Sequence, residues 1–317
     1  MALTIRNFGV LTLSFVLTGG IHAKMVFADE GGVSFWLPGQ FGSLVAVPSA
    51  PGWAFPVVYN HPSATAGAAK SFRRGGQIVA GLTTRSDLVQ VTPTYTFSSS
   101  VAGGQAAVSL AVSFGPAETG VNAILIAPSG GSLSGARHQT LVGVSDLYPS
   151  ATLKWQHGSN NYMIYTMESA PVGSYSVQRI TNIGLNHWSA DGGGAYTYFD
   201  KINEFSAALG LTYNFKNRDT QYRNGVNSHL DWAASHFVSE HIHLGPVGYS
   251  YYQLTGDSGA GAVLGDFKSR VSAVGPQIGY FFGRGDNPWY VNLKGYYEFA
   301  AKHRAAGWNI WLTLAIP

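Results

Sequence analysis

The chain has 317 residues, no cysteine and a formal net charge of +3; 11% of its residues are charged, 45% hydrophobic and 13% aromatic. An ordinary soluble domain carries about 25% charged residues, so this composition argues against a surface fully exposed to water, and the missing cysteine excludes a disulfide scaffold or a cysteine-based metal site. No long uninterrupted apolar run follows the N-terminus, which argues against helical membrane spans.

In chain order, the first element reads as a secretory signal. Arg6 gives a basic start, and 8–17 (FGVLTLSFVL) form an apolar core too short for a membrane anchor. Cleavage fits after Ile21-His22-Ala23 or after Val26-Phe27-Ala28; the second is preferred because Asp29 and Glu30 suit a mature start. Loss of residues 1–28 removes Arg6 and Lys24 and lowers the formal charge to +1, so the nominal basicity says little about partners. Residues 31–52 (GGVSFWLPGQFGSLVAVPSAPG) are apolar but repeatedly broken by Gly and Pro. Such a segment cannot face lipid with unpaired backbone, but it is tolerated inside a barrel. Residues 29–52 are therefore expected to form a small lumen plug, with Phe35, Trp36, Phe41 and Leu44 as its apolar anchors.

From 53 to 317 the pattern changes to short stretches of alternating apolar and polar residues, the period of strands with two unlike faces. Strands are predicted near 53–61, 78–97, 104–114, 139–156, 160–168, 191–199, 204–215, 227–238, 241–254, 267–282, 289–300 and 307–316. The clearest is 204–215. Phe205, Ala207, Leu209, Leu211, Tyr213 and Phe215 share one face, and Glu204, Ser206, Ala208, Gly210, Thr212 and Asn214 share the other. The apolar face ends in aromatics, as lipid-facing strands do at membrane interfaces. The fold class is all-β: an up-and-down antiparallel transmembrane β-barrel of about twelve strands, with the N-terminal plug in its lumen.

Connections alternate in length. Those before 105 and near 157–160, 200–203, 239–240 and 283–288 are short; 62–77, 115–138, 169–190, 216–226, 255–266 and 301–306 are mostly long. Barrels of bacterial outer membranes have short periplasmic turns and longer outer loops, so both chain ends are expected on the periplasmic side. The long loops hold Lys70, Arg73, Arg74, Arg137, Arg179, Lys216, Arg218, Arg223, Lys302 and Arg304 against Glu118, Asp219, Asp257 and Asp266. A basic outer rim suits anionic lipopolysaccharide; solvated loop charge is the alternative. Outer-membrane lipid and lipopolysaccharide are the expected surroundings, and no nucleic-acid partner is expected.

Ionisable residues of the last strands are assigned to the lumen because charge in a membrane segment needs water or a partner. These are His229 and Asp231, Lys268 and Arg270, and Lys294 and Glu298, joined by Glu204. A ladder of cross-strand ion pairs and a selectivity ring both fit them. Tyr249 and Tyr251 (with His241, His243 and Gln253) and Tyr296 (with Tyr290 and Asn292) add an aromatic, partly polar lining that suits a small apolar or aromatic solute.

Chemistry beyond passage finds little support. His157-Gly158-Ser159-Asn160 resembles the His-x-Ser-Asn segment of outer-membrane phospholipase A, yet it falls on a predicted turn, where Gly, Ser and Asn are wanted anyway. His241 and His243 have the spacing of a metal pair without an assured third ligand. Gly192-Gly193-Gly194 precedes no helix and is no phosphate loop. No catalytic residue, metal or cofactor is expected.

Eight segments carry a family resemblance: 31–53, PSATLKWQHGSNNYMIYTMESAPVGSY (149–175), NHWSADGGGAYTY (186–198), EFSAALGLTYNF (204–215), HLDWAASHF (229–237), 252–280 with its LTGDSGAGAVLGDFKSRV block, NLKGYYEF (292–299) and GWNIWLTLAIP (307–317). In these the chain resembles the phenol meta-pathway degradation family of outer-membrane proteins, loosely akin to the long-chain fatty acid and toluene channels. The resemblance implies an outer-membrane β-barrel for passive uptake of small hydrophobic or aromatic compounds, with no catalytic residues to carry over. A non-conducting structural or adhesive barrel and a lipid-modifying enzyme stand as alternatives.

Overall fold

The computed structural model describes residues 34–71, 77–126, 129, 131–263, 265–283 and 288–316; side chains of 68–71 and 78–79 are not among those described. The predicted signal peptide, Arg73 and Arg74 lie outside these residues. Sixteen β segments follow one another: β1 Gly52–Ala54, β2 Val57–Ser71, β3 Gln77–Ser86, β4 Leu88–Val91, β5 Thr94–Val101, β6 Gly104–Ile126, β7 Ser132–Val144, β8 Tyr148–His157, β9 Asn160–Ser169, β10 Ser189–Phe199, β11 Asn203–Asn214, β12 Asn227–Phe237, β13 Ile242–Gln253, β14 Arg270–Phe282, β15 Trp289–Lys302 and β16 Ala306–Ala315.

These segments make twelve staves. β1 and β2 run as one stave interrupted near Pro56, β3, β4 and β5 as a second interrupted at Asp87 and Pro93, and β7 with β8 as the fourth. Proline cannot donate to a ladder, so strands break there. Every neighbouring pair is antiparallel, and β16 pairs β2 from Ala306↔Thr65 to Leu314↔Val57. That pairing closes the sheet into a barrel and leaves no open edge to satisfy in lipid.

The two-residue period of β11 explains which way the wall faces. Phe205, Leu209, Leu211, Tyr213 and Phe215 are exposed, while Glu204, Ser206, Ala208, Thr212 and Asn214 are buried. Leu209 keeps 59% of its surface open. On a water-soluble protein such a band would be an aggregation liability; in a bilayer it is the lipid contact. β9 to β13 are 10 to 12 residues long, the length a tilted membrane strand needs.

Two expectations change. The stretches 62–77 and 115–138 are largely strand: β2 runs to Ser71 and β6 to Ile126, and β6 pairs β7 from Phe114↔Val144 to Ile126↔Ser132. At about 3.3 Å per residue, the 23 residues of β6 reach far beyond a membrane crossing. Hairpins outside lipid are freed from the apolar-out rule, so their alternation is weak and they read as loops. The barrel itself starts and ends at its short-turn end, with Gly52 and Ala315, but the chain before Gly52 does not stay there. It climbs the lumen.

Candidate functional site

Residues 34–51 form an irregular insert inside the barrel. Depth can be measured along β11, which rises from Asn203 at the short-turn end to Asn214 at the long-loop end. Near the short-turn end Ala46 N–H donates to Thr197 Oγ1 (3.1 Å), Leu44 N–H to Glu204 Oε1 (3.1 Å) and Ser206 Oγ (3.0 Å), and the Ser43 hydroxyl to Glu204 Oε2 (2.9 Å). Lys154 Nζ donates to the Val47 carbonyl (3.0 Å). Deeper in, Trp36 reaches His229, whose cross-strand partner is Gly210. An insert with so many Gly and Pro cannot pair its own backbone, so the wall supplies the partners.

The central clamp is at Gly39 to Phe41. Asp231 accepts the Gly39 N–H through Oδ1 (2.9 Å) and the Phe41 N–H through Oδ2 (3.1 Å). Lys294 Nζ donates to the carbonyls of the same two residues, at 2.6 Å and 3.3 Å. Opposite charges thus grip donors and acceptors of one short backbone segment. A Cβ at Gly39, whose φ is +90°, would press on the Tyr296 ring at 3.0 Å; this position needs glycine both for its backbone angle and for the close approach.

The apolar part of the insert packs on two walls. Phe35, Trp36 and Ala46 join Met163, Tyr165, Leu185, Ala195 and Ala208, while Leu37 packs against a cluster that includes Tyr249, Tyr251, Tyr296 and Trp311. Trp36 is fully buried and lies flat on His229, ring centroids 3.6 Å apart and planes 13° from parallel, with Phe41 at 5.0 Å and Tyr165 at 6.0 Å. Its Nε1 has no hydrogen-bond partner among the described residues. His229 is held from the other side by Asp191 Oδ2, 3.0 Å from Nε2, and both side chains are fully shielded. Gly210 makes room for this arrangement, because a Cβ there would collide with the Tyr165 hydroxyl and the His229 ring.

Above the insert, Asp146 is fully buried in the break between β7 and β8. It accepts the Gly173 N–H (2.9 Å), the Leu185 N–H (2.8 Å) and the Ser169 hydroxyl (3.3 Å). These bonds pull the 170–188 connection inward, so that Leu185 joins the Trp36 cluster.

The structure brings most of the sequence-selected residues together. His229, Asp231, Tyr249, Tyr251, Lys294 and Tyr296 are buried in the lumen with Phe35 and Trp36; Phe41 is partly buried, and Leu44 sits at a φ of 65°. Glu298 also faces inward, accepting the Tyr249 hydroxyl (2.7 Å) and the Gly307 N–H (2.9 Å). Lys268 and Arg270 do not belong to this group. Both are exposed, while Ser269 and Val271 between and beside them are buried. The face they share carries Val274, Ile278 and Tyr280, which are exposed to the outside. Arg270 opens β14 at the long-loop end, where a charge reaches water without turning into the lumen. His241 is likewise exposed at a turn.

The expected ladder of ion pairs is replaced by the insert's backbone. Among the described residues the interior has one pair within 4.0 Å, His229–Asp191. Asp191, Asp146, Thr197 and Ser206 were not singled out from the sequence; the carboxylates could have been, since each opens or interrupts a strand in a membrane wall. His157 closes β8, Ser159 sits in the turn after it, and no group of three possible metal ligands occurs among the described residues.

The sequence profile of the family described as "Putative MetA-pathway of phenol degradation" matches residues 69–314. The chain belongs to that family. Among curated proteins none matches it. Among solved structures, the COG4313 outer membrane channel from Pseudomonas putida F1 superposes with a TM-score of 0.65 at 14% identity, over 89% of this chain and 99% of that one. At that identity the likeness concerns the fold. A FadL homologue from Pseudomonas aeruginosa follows with a TM-score of 0.38 and 7% identity, over 83% of this chain and 89% of that one. The family member described here therefore shares the closed β-barrel fold of the Pseudomonas putida channel, with residues 34–51 packed against inward-facing wall residues.

Proposed function

We propose that the protein is a passive outer-membrane channel for small hydrophobic or aromatic compounds. Short turns face the periplasm, long loops face outward, and residues 34–51 act as the plug. The observation that carries this reading is the Trp36–His229 stack. A flat indole, flanked by the insert's own Phe41, lies against wall residues Tyr165, Met163 and His229, so the interior already accommodates an aromatic ring. Tyr249, Tyr251 and Tyr296 continue the aromatic lining toward Lys294 and Asp231. Aromatic surfaces with a few placed polar groups favour such solutes over bulk water. Passage needs no cofactor, since the gradient drives it.

A non-conducting barrel is the second reading, favoured by the number of wall contacts that hold the insert. Liposome swelling separates the two. Vesicles containing the protein should swell faster in an isosmotic small aromatic alcohol than in a sugar of similar size. Swelling no faster than in protein-free vesicles for both solutes would remove the channel reading.

A further inference from the structure

We propose that the outer face of β13, β14 and β15 at their long-loop end binds the phosphate groups of an anionic lipid, in the outer leaflet a phosphorylated lipid A headgroup. Arg270 is the direct cross-strand partner of Lys302 on one side and of Tyr252 on the other. Directly paired residues share a face, and here that face is the outside, since Val271 next to Arg270 is buried and Tyr252 is 44% exposed. Lys268 and His303 are exposed beside them, joined by a contact of 3.0 Å from His303 Nδ1 to the Lys268 carbonyl.

Two like charges facing each other across a ladder destabilise a sheet unless something neutralises them. Among the described residues no acid does so. Arg270, Lys302 and Lys268 have no carboxylate within 4.0 Å among the described residues. Asp266 packs its side chain against Gly256, and Glu298 is turned inward to Tyr249. The ladder is also distorted at this point, with a register shift between Arg270 and Ser272. Immediately below lie Phe299, the partner of Ser272, then Val274 and Tyr297, all exposed. The column therefore reads, from the rim downward, two cations, then aromatic and aliphatic side chains. That is the order of a phosphorylated lipid: phosphate above, acyl chains below. Arginine supplies a planar fork for phosphate oxygens and lysine a point charge beside it.

The test compares wild type with the double variant R270S/K302S, both delipidated in neutral detergent. Binding of bisphosphorylated lipid A is followed by native mass spectrometry and by thermal unfolding. The wild type should retain lipid A and gain thermal stability from it, and the variant should bind at least tenfold more weakly while its ligand-free unfolding temperature stays within a few degrees. Equal lipid A binding by both proteins overturns the proposal. So does equal binding of dephosphorylated lipid A by the wild type, which would make the contact merely acyl. If millimolar inorganic phosphate stabilises the wild type as much as lipid A does, the site is one for free anions and the lipid assignment fails. Should the double variant not fold, R270K/K302R keeps both charges and should retain binding; loss of lipid A by that folded variant would also overturn it.

Discussion

Replacing Asp231 by alanine should release the insert. Its carboxylate accepts two insert amides, Gly39 and Phe41. A hydrogen bond to a charged group contributes about 1.5–3 kcal/mol, so the gross loss is about 3–6 kcal/mol. Part is returned, because a buried carboxylate no longer has to be desolvated. Against that, Lys294 loses its nearest opposite charge while still gripping the Gly39 and Phe41 carbonyls. A net bias of about 2–4 kcal/mol against the seated insert follows, or roughly 30- to 700-fold in its open-to-closed ratio. The absence of cysteine gives a clean assay. Gln40→Cys introduces a single thiol beside the clamp, where the native amide nitrogen has no hydrogen-bond partner among the described residues to lose. Its labelling rate by a water-soluble maleimide should rise by that factor in the Asp231→Ala background, and single-channel conductance should rise with it. Asp231→Asn, which keeps one acceptor oxygen, should fall between. Labelling at an unchanged rate, in a barrel whose thermal unfolding shows it folded, would refute the argument that these bonds hold the insert.

Leu209→Arg places a charge on the lipid face near mid-strand and should cost about 2–4 kcal/mol of folding free energy, read from denaturant refolding into lipid. Trp36→Ala should leave the barrel folded but raise swelling rates for aromatic solutes, since it removes the ring that occupies the stack; unchanged rates would detach Trp36 from passage. In the 200–202 turn, the Asn203 and Ile202 amides donate to Asp200 (2.6 and 2.9 Å) and hold its carboxyl below the usual carboxylate range. A depressed folded value means the turn is favoured above the ordinary carboxylate pKa and loses that support as pH falls through the lower folded value. Exchange of the Ile202 and Asn203 amides should quicken there, and Asp200→Ala should abolish the pH dependence. Epitopes inserted at 216–226 should be labelled on intact cells and those at 200–202 should not; the reverse would invert the barrel.

The wall was legible because lipid and lumen impose opposite demands on successive residues. In β11 every outward residue after Asn203 is apolar or aromatic and every inward one small or polar, so the period could be read without coordinates. The rule weakens where one demand disappears. Beyond the membrane, the far halves of β6 and β7 have exposed residues on both faces, and sequences such as Ala117-Glu118-Thr119-Gly120 keep pairing without keeping a stripe. It misleads at strand ends. Arg270 was assigned to the lumen because charge avoids lipid, yet at the rim the outer face offers headgroups and water. The lumen contacts of Thr197, Ser206 and Asp191 were not legible, since their partners lie more than a hundred residues away in the insert or two strands across.

The lumen shows why the buried charges and the insert had to be understood together. A barrel of twelve staves encloses more space than its own inward side chains fill, and the small residues of the wall, such as Ala195, Ala208 and Gly210, enlarge that space. An ordinary helix placed there would satisfy its own backbone, and a β-hairpin would pair half of its own, with less need of a charged wall. The insert has neither option, because Pro38, Gly39, Gly42, Pro48 and Pro51 break any regular ladder. Its free amides and carbonyls therefore require acceptors and donors from the barrel, and Asp231, Glu204, Lys294 and Lys154 answer them one by one. Burying Asp231, Glu204 and Lys294, with Lys154 half-buried beside them, to hold eighteen residues of irregular chain is a poor route to stability compared with apolar packing. It is a good route to a closure that sits in one register yet depends on a few bonds. The seat is specific because charge sets its register, and Phe35, Trp36, Leu37, Phe41, Val45 and Ala46 add apolar contact with the wall, so unseating the insert would have to break both sets of contacts.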